Sequence, residues 1–204
     1  MVILDLDGTL IDSRIRLHKL FVDLVDDYDF PLNEYWRLKR RGVTHDTLLV
    51  ERYAYREQQI DAFKDLWFQR IESLAYLKLD FPHKESTRFL EKLVETTDCT
   101  LLTARMNEEF VVKQLEDLGW ISFFSDVIVT GAGRTKHEAA SHLPVFHKDW
   151  LVGDTCDDID TARKLGCRAA SVSNGFTQHQ RLQEHGPDVI AINLKELFPV
   201  LVQN

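Results

Sequence analysis

Asp5 and Asp7 stand one residue apart at the end of a short apolar run, in the stretch VILDLDGTLID over residues 2–12. Two carboxylates so placed could act as a nucleophile and a proton donor, or share a cation. Without a cation they repel each other, which raises a pKa. Gly8 follows, and a glycine there lets the backbone turn sharply and approach a ligand. The pattern alone also fits a strand end with an Asp-Gly turn. Other apolar runs, however, end in complementary groups. CTLLT ends in the hydroxyl of Thr103, WLVGD ends in Asp154 with Asp157 and Asp158 beyond it, and Lys136 lies between them. Singly, Thr103 could be a plain strand end, Lys136 a solvated cation, and Asp157 and Asp158 acids that favour a helix N-terminus. Together they place carboxylates, a hydroxyl and an ammonium at the carboxyl edge of one sheet.

That edge needs strands. Val2–Leu4, Cys99–Thr103, Asp126–Thr130 and Trp150–Gly153 are short apolar, partly β-branched runs, and Arg168–Val172 and Asp188–Ile192 are weaker ones. Asp5 and Asp7 are expected on one face of the first strand. Helical spacing fills the gaps. Asn107–Leu118 precedes Gly119, Asp158–Leu165 precedes Gly166, and Lys195–Leu201 closes the chain. Strand–helix alternation predicts an α/β fold, a Rossmann-like parallel sheet with helices on both faces. Ligands of such sheets bind beyond the carboxyl ends of the strands. Residues 14–80 differ. They hold no clear strand, and apolar positions such as Leu17, Leu20, Phe21 and Leu24 recur at helical spacing, interrupted at Pro31 and Gly42. We read them as an inserted α-helical cap domain, a hinged lid on a core made of residues 1–13 and 81–204.

Composition narrows the function. The 204 residues carry 25 basic against 33 acidic side chains, a formal charge of -8. Such a chain is repelled by nucleic acid and by anionic membranes, while a local pocket can still take an anion. No apolar stretch is long enough to span a bilayer and no signal peptide is evident. Three cysteines without CxxC spacing suggest reduced thiols and a cytoplasmic setting.

DLDGTLIDS, LLTAR, Lys136 and VGDTCDD resemble, in order and in strand placement, the four motifs of the haloacid dehalogenase superfamily. The resemblance covers about residues 1–13 and 81–204, with the helical insertion where that family's first-type cap lies. The nearest subgroup looks like the phosphoglycolate phosphatases and β-phosphoglucomutases, and the tail DVIAINLKEL resembles the phosphoglycolate phosphatase ending. It implies a Mg2+-dependent phosphatase acting on a small phosphorylated metabolite through an aspartyl-phosphate. Asp5 would be the nucleophile, and Asp7 the general acid and then the base. Asp5, the backbone carbonyl of Asp7 and Asp154 would hold Mg2+, with Asp158 supporting the metal site or its lysine. Thr103 and Lys136 would hold the phosphoryl oxygens, and Gly8 and Ala104 would add backbone N–H donors. Lys136 is followed by His137 where relatives commonly have proline, and Asp157 stands where they often have asparagine.

A phosphomutase or a catalytically silent binding protein on the same fold are the alternatives. The partner is a small phosphate ester, not nucleic acid or membrane, and the chain is expected to be a monomer or a homodimer. In the cap, WRLKRRG over residues 36–42 reads as a solvated face or as a basic cluster that meets a second anionic group of the substrate, His45 as an exposed loop residue, and Tyr53, Tyr55 and Trp67 as cap core. Arg105, two residues after Thr103, is expected either to face the site or to cap a helix.

Overall fold

The structure is a computed structural model that describes residues 1–202. It divides into two compact units, Met1–Asp12 with Pro82–Asn204, and Ser13–Phe81.

The first unit is built on six parallel strands. They are β1 (Val2–Leu4), β4 (Cys99–Thr103), β5 (Asp126–Val129), β6 (Trp150–Gly153), β7 (Arg168–Val172) and β8 (Val189–Ala191), in the order β5-β4-β1-β6-β7-β8. Two further short strands, β2 (Ile11–Asp12) and β3 (Phe81–Pro82), lie where the chain leaves and re-enters. Strand β1 is central. Leu4 is in register with Leu101 of β4 on one side and with Val152 of β6 on the other. The chain therefore builds outward from β1 first one way and then the other, which opens a crevice at the carboxyl end of β1.

Both faces of this sheet are buried. Val2 and Leu4 pack with Leu90 of α6 (Ser86–Leu93), Leu115 of α7 (Glu108–Asp117) and Leu197 of α11 (Leu194–Leu201). Ile3 points the other way, onto Ala140 of α8 (Lys136–Ala140), Ile159 of α9 (Cys156–Leu165) and Leu182 of α10 (His179–His185). That is why the strands read as continuous apolar runs rather than alternating ones. The sheet is the Rossmann-like α/β core expected from the sequence. Boundaries moved slightly. Asn107 lies outside α7 because its side chain accepts from Phe110 N–H and caps the helix, and β8 is trimmed to three residues.

The second unit consists of α1 (Arg14–Val25), α2 (Leu32–Arg40), α3 (His45–Tyr53), α4 (Glu57–Arg70) and α5 (Leu74–Leu77). Its centre is aromatic. Phe21, Phe30, Tyr35 and Phe63 are buried together, and Tyr53, Tyr55 and Trp67 pack around them. His45 corrects its sequence reading. It opens α3, its ring lies 4.2 Å from that of Trp67, and its Nε2 is 2.9 Å from the Tyr35 hydroxyl. Burial first, and the Lys39 charge second, push it down to about 3. The 36–42 cluster is also only partly solvated. Arg37 and Arg41 are exposed, but Trp36 is buried, and burial brings the Lys39 ammonium down to about 8.

Candidate active site

The first strand stops at Leu4, and Asp5 N–H adds one more bond to the Val152 carbonyl at 2.9 Å. Beyond it the chain turns. The Leu6 carbonyl accepts from both Leu10 N–H and Ile11 N–H. Asp5 and Asp7 therefore lie past the end of β1 rather than within it, and their side chains take different partners.

Asp5 is buried with Asp154 and Asp158, and the three offer carboxylate oxygens within 4.8 Å of one another. Asp154 follows β6 directly. Asp158 is set by a capping box at the start of α9. Thr155 N–H and Oγ1 donate to Asp158 Oδ2 at 3.0 and 2.6 Å, and Asp158 N–H donates back to Thr155 Oγ1. Lys136 is the first residue of α8, whose start is fixed by a second capping box between Thr135 and Glu138. Its Nζ donates to Asp5 Oδ1 and to Asp158 Oδ1, both at 2.6 Å. Asp157 points away and is exposed.

The electrostatics follow from this packing. Burial raises the Asp5 carboxyl to about 6; Lys136 opposes this, and Asp158 and Asp7 reinforce it. Burial, and then repulsion by Asp5 and Asp158, raise Asp154 well above the ordinary carboxylate value, against the pull of Phe176 N–H and the Thr9 hydroxyl. Burial alone would lower Lys136, but Asp158 and Asp5 outweigh it and raise it. When all are ionised, three carboxylates face one ammonium, which leaves two negative charges in excess. A buried excess of that size, presented on hard oxygen atoms, fits a divalent cation.

Thr9 was not singled out from the sequence, yet it lies inside this cluster. Its Oγ1 is 3.2 Å from Asp5 Oδ2 and 3.0 Å from Asp154 Oδ1, and its single proton can serve only one of them at a time. Phe176 N–H donates to Asp154 Oδ2 at 2.5 Å from the loop after β7. That loop carries Gly175, where a Cβ would fall 2.2 Å from the same oxygen. No local pattern marks Gly175-Phe176; only the proximity of the β6 and β7 ends does. Gly8 serves the site differently from expectation. Its N–H is taken by the Ile11 carbonyl at 2.7 Å, so it is not a donor for a ligand. Its contribution is space, because at φ 88° a Cβ would lie 2.4 Å from Asp154 Oδ2.

Asp7 faces the other wall. Arg105 grips its carboxylate at two points, and Gln114 of α7 grips Arg105. Thr103 ends β4 buried, its Oγ1 accepting from Arg105 N–H at 3.4 Å, and Ala104 beside it is exposed. Two carboxylates and a hydroxyl thus lie past the carboxyl ends of β1 and β4, with the ammonium that opens α8 and Asp154 after β6 beside Asp5, an arrangement suited to transferring an anionic group onto a carboxylate.

Comparison with known proteins agrees with this fold. A Vibrio parahaemolyticus phosphoglycolate phosphatase is 23% identical, covering 98% of this chain and 95% of that protein. A Chromobacterium violaceum phosphoglycolate phosphatase is 25% identical over the same shares. Among solved structures, a proposed phosphatase from Clostridium difficile superposes with a TM-score of 0.78 at 19% identity, covering 98% of this chain and 97% of that one. The profile of the family described as haloacid dehalogenase-like hydrolase matches residues 2–172, a stretch that includes every strand-end residue above except the Gly175-Phe176 pair. With most of its length inside that profile, the chain belongs to the haloacid dehalogenase-like hydrolase family and is a hydrolase.

Proposed function

We propose that the chain is a Mg2+-dependent phosphatase that hydrolyses a small phosphate monoester through an aspartyl-phosphate on Asp5. The observation that carries this reading is the joint placement of Asp5 and Lys136. A carboxylate nucleophile is held 2.6 Å from a buried ammonium that can also meet phosphoryl oxygens, while a second carboxylate, Asp7, stands apart with its own partner.

Asp5 Oδ attacks phosphorus, the ester P–O bond breaks, and its electron pair leaves on the alcohol oxygen, which takes a proton from Asp7. Asp7 then removes a proton from water. The water oxygen bonds to phosphorus, the acyl P–O bond breaks, and Asp5 is released as a carboxylate together with inorganic phosphate. Lys136 and the Thr103 hydroxyl hold the phosphoryl oxygens during both transfers. The carboxylates of Asp5 and Asp154 and the backbone carbonyl of Asp7 would hold Mg2+, with Asp158 fixing Lys136. When bound, the ion neutralises charge on the transferring group.

Phosphoglycolate is the first substrate to try, since curated relatives that match nearly the whole chain carry that activity in their names. A cytoplasmic setting is supported by three free cysteines, two of them buried, and among the described residues no helix is long and apolar enough to cross a membrane. The test is phosphate release from p-nitrophenyl phosphate and a panel of metabolite phosphates, with Mg2+ or with EDTA, beside Asp5→Asn. Metal-dependent release that Asp5→Asn abolishes supports the reading; release unchanged by Asp5→Asn sinks it.

A further inference from the structure

Arg105 is only 4% exposed although it lies in the loop between β4 and α7. Its Nε donates to Asp7 Oδ2 at 2.7 Å and its Nη2 to Asp7 Oδ1 at 2.9 Å. Its Nη1 donates to Gln114 Oε1 at 2.6 Å. The backbone of Arg105 is pinned as well. Its N–H donates to Thr103 Oγ1, and its carbonyl accepts from Gly131 N–H at 3.1 Å and from Thr130 Oγ1 at 3.4 Å. A guanidinium fixed at both ends thus holds both oxygens of a carboxylate whose side chain is itself 20% exposed.

We propose that Arg105 is a positioning residue for the proton transfers, fixing the plane and direction of the Asp7 carboxyl, with Gln114 fixing Arg105 in turn. This rests on the phosphatase reading above. The Asp7 side chain has two free torsions and sits past a strand end. A carboxyl group that must meet a leaving oxygen needs its direction set in advance, and an error of about 1 Å can cost ~10²-fold. A two-point guanidinium contact sets the plane of the ionised Asp7 carboxylate, whereas an ammonium contributes only a point charge; when Asp7 carries the proton it donates, the protonated oxygen gives up its contact and the other contact keeps the direction. The guanidinium keeps its protons, so it acts through Asp7 and is not itself the donor.

The leaving group distinguishes this role from a merely structural one. When the ester P–O bond breaks, an alkyl alcohol oxygen needs the Asp7 proton, but p-nitrophenolate is a stable anion and needs none. The ratio kcat/KM reports steps through that bond cleavage, before water attacks. We would measure it for p-nitrophenyl phosphate and for 2-phosphoglycolate or the best alkyl ester found. The proteins are the wild type, Arg105→Lys, Gln114→Leu, Asp7→Asn and the Arg105→Lys/Asp7→Asn double variant, with thermal midpoints recorded in parallel.

Arg105→Lys is expected to lower kcat/KM on the alkyl ester about 10²-fold and on p-nitrophenyl phosphate less than about tenfold, mostly through kcat. In the Asp7→Asn background the same change should have less than about a twofold effect, because its target is gone. Equal losses on both esters, or a full Arg105→Lys effect without Asp7, would overturn the proposal. Should Arg105→Lys fail to fold, Gln114→Leu decides, since it keeps the ion pair and releases its far support. A smaller loss confined to the alkyl ester supports the proposal, and no selectivity overturns it. Absence of turnover in the wild type sinks the phosphatase reading and this inference with it. An active wild type whose Arg105 variants lack ester selectivity sinks only the inference.

Discussion

Lys136 Nζ lies 2.6 Å from Asp5 Oδ1, although 131 residues separate the two in the chain. The same nitrogen is 2.6 Å from Asp158 Oδ1. One ammonium therefore holds together two of three buried carboxylates, and its loss has consequences for stability as well as for chemistry.

In Lys136→Met the cluster keeps its acids and loses its cation. Removing one partner of a buried ion pair costs about 3–5 kcal/mol. For a chain of this length each kcal/mol moves the midpoint by about 2–4 °C. Calorimetry in EDTA should show a fall of about 6–20 °C, and Asp158→Asn added to Lys136→Met should recover part of it. A midpoint equal to that of the wild type would contradict the packing described.

Gly8 and Gly119 both have positive φ, 88° and 71°, but only Gly8 has neighbours in the way. A Cβ on Gly8 would stand 2.4 Å from Asp154 Oδ2 and 2.5 Å from the Phe176 ring, while one on Gly119 meets nothing within 4 Å. Gly119→Ala should cost about 1 kcal/mol of backbone strain and leave turnover intact. Gly8→Ala should cost more, about 2–4 kcal/mol, because Asp154 must shift, and should reduce turnover at least tenfold. Urea unfolding and phosphate release measured on the pair would separate strain from close approach. Equal effects of the two substitutions would contradict the geometry at Gly8.

His45 gives the second unit a pH dependence. In the folded protein it is pushed down to about 3, whereas an unfolded histidine titrates near ~6.5. Below the unfolded value the unfolded chain binds the extra proton, so stability is complete above about pH 6.5 and falls as pH drops toward 3. The slope is about 1.4 kcal/mol per pH unit, or about 2 kcal/mol between pH 6.5 and 5. Urea midpoints followed by tryptophan fluorescence, with Trp67 beside the imidazole, should show this loss in the wild type. His45→Gln should remove it, and the difference between the two proteins cancels what the core carboxylates contribute. A parallel pH dependence in both would show that His45 is not buried as a neutral ring.

The alternation of buried strands and helices was legible because both faces of a parallel sheet are covered, so β1, β4 and β6 read as unbroken apolar runs. The candidates Asp5, Thr103, Lys136, Asp154 and Asp158 stood out for another reason, because they follow apolar runs or open a helix in the order of the motifs that the chain resembles. His45 was misread because its neighbourhood, THD after a glycine, looks like a solvated turn. The rings that bury it come from Phe21, Phe63 and Trp67, each many residues away.

The sequence by itself thus determined the order of the elements and the residue types present at the strand ends, because hydrophobic period and turn chemistry act over a few residues, and its four motifs carried the resemblance to the family. Only the tertiary structure decided which groups pair. The turn after Leu4 sends Asp5 to Lys136 and Asp7 to Arg105, Thr9 comes between Asp5 and Asp154, and Gly175-Phe176 closes on Asp154. Those partners lie past the ends of separate strands or at the start of α8 and meet only when the sheet is assembled around β1, and ion pairing acts through space, so its partners leave no pattern along the chain.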